Sequence, residues 1–132
     1  MTPILPLPMP RDCGPYHQKL GIAAVYVVGE GAQGPVKVGI ATDIIKRLSG
    51  IRTANPREVL LYFLTWLQSN RHAALVEQAA LKILKEQNLW LRGEWFNCPP
   101  HQARSAVLAA IATHGFKTFS DEKRIQVVEE FK

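Results

Sequence analysis

Cysteine is nearly absent. The 132-residue chain has two, Cys13 and Cys98, far apart in sequence. That excludes a disulfide framework and any paired-cysteine metal spacing. It fits a reducing compartment, so a cytoplasmic location is expected. Long apolar runs are missing too. A membrane helix needs about 20 consecutive apolar residues; the longest run here, Val59 to Leu67, suits a buried strand instead. The N-terminal stretch MTPILPLPMPR has no basic lead and is broken by prolines, unlike a secretory signal. There is no internal repeat and no low-complexity tract. One domain with its own core is expected, without a membrane partner.

Negative charge is scarce in one place. Between Val36 and Arg57 stand Lys37, Lys46, Arg47, Arg52 and Arg57, against Asp43 alone. The net charge is +5, and the segment from Phe116 to Lys132 balances four basic residues with four acidic ones. The excess therefore lies earlier in the chain. A local basic patch favours a polyanion such as nucleic acid; the plainer alternative is the solvated surface of a basic protein.

Residues 1–20 hold five of the nine prolines. Proline lacks an N–H and resists helix interiors and central strands, so this part reads as an extended N-terminal arm. Ile22 to Val28 has the composition of a buried strand. Gly29 to Pro35 is a turn, and Val36 to Ile40 returns antiparallel to the first strand. The turn is no P-loop, because no Gly-Lys-Ser/Thr follows it. Thr42 or Asp43 caps a helix whose apolar stripe is Ile44, Ile45, Leu48 and Ile51, with Arg47 at its edge. Asn55-Pro56 ends it. Glu58 to Leu67 reads as a central strand buried on both faces. Ser69 or Asn70 starts a long helix to about Asn88. Leu91 to Cys98 is a turn with a short extended piece. A helix from His101 to about Thr113 is closed by Gly115, and a last amphipathic helix runs to Phe131. The fold class is α+β: a small three-stranded sheet with an antiparallel hairpin, flanked by helices. The expected organisation is an arm over 1–20, a domain over 21–98 and a C-terminal helical extension over 99–132.

The long helix carries an anomaly. Ala73, Val76, Ala79, Ala80, Ile83 and Leu84 fill a broad apolar arc at about 100° per residue, and Glu77 falls inside it. Burying a carboxylate costs several kcal/mol, on the order of its desolvation, unless a cation pairs with it. Glu77 therefore needs either an ion-pair partner, Arg47 or Lys37, or a metal ion.

From about Ala23 to Asn97 the chain resembles the GIY-YIG nuclease superfamily, in particular its phage-associated branch. The resemblance rests on Ala24-Val25-Tyr26, Lys37-Val38-Gly39, Arg47, Asn55-Pro56, Glu77 and Gly93-Glu94-Trp95-Phe96. Lys37 stands where the family has a second Tyr, and Ile51 stands where many members have a His. The resemblance implies a metal-dependent endonuclease acting on DNA, with Tyr26, Lys37, Arg47 and Glu77 as catalytic residues. Glu77 is implied as the metal ligand for Mg²⁺ or Mn²⁺, a hard cation that takes carboxylate, water and phosphate oxygens. Such an ion acts as a Lewis acid on the phosphoryl group, and Arg47 can clamp a nonbridging oxygen. Tyr26, with a free pKa of about 10, needs a nearby cation to orient or deprotonate water, and Lys37 is expected to supply it. The four residues are expected to form one cluster, with Glu77 on the Tyr26 side of the sheet. Lys46, Arg52, Arg57 and Asn97 are the expected substrate-binding residues. A homodimer or a protein partner is expected to supply specificity. Two alternatives stay open: a catalytically weak or inactive nucleic-acid-binding module, and a protein-interaction domain that docks through the arm and the last helix.

The remaining residues read more plainly. His17, His72, His101 and His114 have no ligand spacing and are expected at the surface or at helix ends. Trp95 and Phe96 read as core packing, and Glu94 as an ion-pair or capping residue.

Overall fold

In the computed structural model, which describes residues 1–7 and 13–132, strand β1 (Ala23–Gly29) is buried along its whole length. Its small and β-branched residues need a neighbour at both edges and cover on both faces. Strand β2 (Val36–Ala41) pairs antiparallel along one edge and β3 (Leu60–Leu67) along the other. Three short strands complete the sheet: β4 (Trp90–Arg92), β5 (Trp95–Phe96) and β6 (Thr118–Phe119). The order is β4-β5-β2-β1-β3-β6, with every neighbouring pair antiparallel.

The sheet is thus six-stranded, not three-stranded. The additional strands have two or three residues each, too short to display a period of two. β1, not β3, is the fully enclosed strand. The outer edge of β3 is completed in pieces: β6 pairs at Trp66 and Leu67, and the Ile4 N–H donates to the Leu61 carbonyl at 2.8 Å.

Alternation along the strands sorts the core into two layers. Val25, Val27, Val36 and Val38 face helices α3 (Asn70–Glu86) and α4 (Pro100–His114). Ala24, Tyr26, Val28 and Ala41 face the other way, onto Ile44, Leu48 and Ile51 of α2 (Ile44–Ala54). Helix α1 (Cys13–Leu20) and helix α5 (Asp121–Phe131) touch each other and β3 carries α5. The caps form where composition placed them. Asp43, Ser69 and Ser120 accept from the N–H groups of Lys46, His72 and Lys123, and Gly115 ends α4 at φ 68°.

The extended-arm expectation holds for only part of residues 1–20. Residues 8–12, with Pro8 and Pro10, lie outside the described residues. Residues 13–20 are helical despite Pro15. Pro15 falls in the first turn, where its missing N–H has no intrahelical partner to lose.

Candidate functional site

The β1–β2 register sets Tyr26 opposite Gly39 and Val28 opposite Lys37. Since Val36 and Val38 face α3 and α4, Lys37 and Gly39 face α2, as Tyr26 does. The phenol ring lies directly over bare backbone. A Cβ on Gly39 would sit 2.3 Å from the Tyr26 Oη and 2.5 Å from its Cζ. Glycine is what admits the ring there. Tyr26 is fully buried, and its hydroxyl lacks a hydrogen-bond partner of good geometry. Burial raises its pKa, and the neighbouring Arg47 guanidinium opposes that. Near neutral pH the hydroxyl therefore keeps its proton.

Beside this ring, a groove of about 580 Å³ opens between β2, β5 and α2. Lys37, Thr42, Asp43, Lys46, Arg47 and Trp95 are among its lining residues. Asp43 is committed as the cap of α2, accepting from the Lys46 N–H at 3.0 Å. Lys37, 19% exposed, donates to the Glu94 carboxylate on the β4–β5 turn. The cation acting on Tyr26 is therefore Arg47, not Lys37 as the sequence suggested.

Glu77 comes from α3, which packs on the opposite face of the sheet. Tyr26, Lys37 and Arg47 share a face, and the Glu77 charge acts on Tyr26 from the flank of α3, adding to the rise of its pKa. Glu77 remains electrostatically coupled to them. Its pKa is raised by burial first, then by the Glu94 charge, while Lys37 and Arg47 pull it down. Glu77 has no ion-pair partner among the described residues, so neither structural pair anticipated for it forms. No group of three or more His, Cys, Asp or Glu side chains suited to a metal occurs among the described residues. A half-buried, unpaired carboxylate fits the other mode of binding, in which one carboxylate, waters and substrate phosphate share the ion.

The other expected contacts divide. Lys46 lines the groove. Arg52 does not: its Nε donates to the Val59 carbonyl at 3.1 Å. Arg57 points to Glu30 at 3.7 Å. Asn97 is exposed and not part of the lining, and its backbone N–H donates to the Leu89 carbonyl at 2.7 Å. Neither cysteine lines the groove, and burial pushes the Cys98 thiol up to about 11, which leaves it protonated and unreactive.

Residues 23–110 of the chain, more than half of it, match the T5orf172 domain. The chain belongs to the T5orf172 domain family. This is a phage T5-associated domain. Comparison with curated proteins and with solved structures gives no match. The T5orf172 match starts at β1 and runs well into α4, past the boundary at residue 98 drawn from the sequence. Every residue of the groove lies inside it; α1, β6 and α5 lie outside.

Those outer elements hold a cluster that sequence reasoning missed. The Asp121 carboxylate accepts from Trp66 Nε1 at 3.0 Å, from Arg124 Nη2 at 2.7 Å and from the Leu7 N–H at 2.7 Å. Arg124 is fully buried, with its guanidinium over the Trp66 ring at 5.5 Å. His17, expected at the surface or at a helix end, lies in the last turn of α1 but is fully buried and packs on Trp66 at 4.8 Å. Its Nδ1 lies 2.6 Å from the Thr42 carbonyl, one residue before the cap of α2. Burial lowers the His17 pKa, with the Thr42 bond opposing. His72 is not free either; it stacks on Phe116 at 3.8 Å. A signal for Arg124 did exist: it sits four residues before Val128, on the apolar stripe of α5.

Proposed function

We propose that this T5orf172 domain is a metal-dependent endonuclease of GIY-YIG type that hydrolyses DNA phosphodiester bonds. One observation carries the reading: a half-buried carboxylate without an ion pair, Glu77, is coupled to the cations of a groove. A surface evolved only to be wet has no reason to keep such a group. Mg²⁺ or Mn²⁺ at Glu77 supplies Lewis-acid charge to the phosphoryl group. Arg47 and Lys46 hold the nonbridging oxygens, and Arg47 can do so with two parallel N–H bonds. Tyr26 enters as a neutral, enclosed hydroxyl that holds the Arg47 guanidinium at the edge of the groove. Lys37 joins when the phosphate competes with Glu94 for its ammonium group.

A second reading has its own support. Lys37 is tied to Glu94 and the Tyr26 hydroxyl is enclosed, as suits a module that binds DNA without cutting it. A second copy or a protein partner then sets specificity in either case. Plasmid nicking in Mg²⁺ or Mn²⁺, abolished by EDTA, is the expected result for the nuclease. Salt-sensitive DNA retardation without nicking in either metal would favour the binding module.

A further inference from the structure

We infer that the groove takes one unpaired nucleotide of a DNA strand, with its base stacked on Trp95 and its phosphate at Lys46 and Arg47. The inference rests on the proposed function only in taking DNA as the ligand. A groove of about 580 Å³ is the size of pockets that enclose a small molecule. A duplex can only lie across it, whereas a nucleotide out of its stack can enter.

Trp95 is suited to receive the base. The register places it opposite Lys37, on the groove side of β5. It packs in part against the core layer under α2 and is otherwise open to the groove. The three tryptophans differ in their N–H groups. Trp66 Nε1 donates to Asp121 and Trp90 Nε1 donates to the Gly93 carbonyl. Trp95 Nε1 has no partner among the described residues, nor is it sealed from solvent. No aromatic ring or cation stacks on its face among those residues. An indole beside two cations that have no ion pair among the described residues is the pairing that single-strand binding uses: a stacking platform next to a positive track. The acidic side chain of the lining, Asp43, is turned to the helix it caps.

The test is fluorescence anisotropy in EDTA, so that cleavage plays no part. Four probes of one sequence are compared: a single DNA strand, a blunt duplex, a duplex with one bulged nucleotide, and the RNA strand. Wild type is expected to favour the single strand and the bulge over the blunt duplex. Trp95→Ala should weaken those two about tenfold or more and leave the blunt duplex unchanged, while Trp95→Phe keeps most of the preference. Should Trp95→Ala fail to fold, quenching is read in Trp90→Phe, where Trp66 is buried and Trp95 reports. Single-strand binding that ignores Trp95→Ala, or absence of quenching, would overturn the inference. Tighter binding of RNA would overturn the assignment to DNA. A nuclease that nicks in Mg²⁺ yet ignores Trp95 removes this inference alone, and a Trp95-dependent binder that never nicks removes the nuclease alone.

Discussion

Glu77 carries opposite obligations to fold and chemistry. Burial raises its pKa above 4.5, so the folded chain holds its proton more tightly than the unfolded chain does. The associated stability is full below pH 4.5 and is lost as pH rises through the raised value. Glu77→Gln should therefore melt higher than wild type near pH 7.5, and the difference should close by pH 4; equal melting at both pH values would show that the carboxylate is not desolvated. Gly39 is the converse case, where a methyl group is forbidden. Gly39→Ala places that carbon 2.3 Å from the Tyr26 hydroxyl, and the ring must leave its seat. A loss of about 1–3 kcal/mol in urea unfolding is expected from such overpacking. The desolvation of Glu77 was legible in the sequence because a charge inside an apolar arc is an anomaly of pattern. The state of Lys37 was not. Its partner, Glu94, is remote in sequence, and only the β4–β5 hairpin brings it across.

The long, periodic elements could be read directly: β1, the hairpin to β2, α2, β3, α3 and the last two helices fall where composition and spacing put them. What escaped was short or non-local. β6 is two residues that exist because Trp66 and Leu67 leave an edge to pair. Helix α1 forms in a proline-rich stretch because Pro15 sits in its first turn. Close to both, Asp121 joins the arm, β3 and α5. Asp121→Ala leaves the buried Arg124 charge without its carboxylate and should cost about 3–5 kcal/mol. Replacing the pair together, as Asp121→Leu with Arg124→Met, should cost much less. Chemical denaturation of the single and double variants separates the two. Through His17 and the Thr42 carbonyl, the same cluster borders the start of α2, the helix that carries Lys46 and Arg47.

Across the whole molecule, the basic excess and the groove coincide only in part. Arg52 and Arg57 belong to the basic segment but lie outside the groove lining, Arg52 tied to the Val59 carbonyl and Arg57 exposed beside Glu30, so the patch within the groove is narrower than the sequence suggested. Glu94 trims it further by holding Lys37. Glu94→Gln removes a charge from a chain of net +5 and frees that ammonium group. DNA affinity should rise and its dependence on salt should steepen by about one released counterion; an unchanged salt slope would mean that Lys37 never meets phosphate. No described helix is long and apolar enough to cross a membrane. In the proposed function, a metal held at Glu77 lets this groove cut DNA. Nicking of supercoiled plasmid in Mn²⁺ by wild type and Glu77→Gln, both shown folded by circular dichroism, tests it most directly. Wild type is expected to nick and Glu77→Gln is not; equal nicking by the two proteins, or none by wild type, would rule out a metal-bearing Glu77 as the cutting centre.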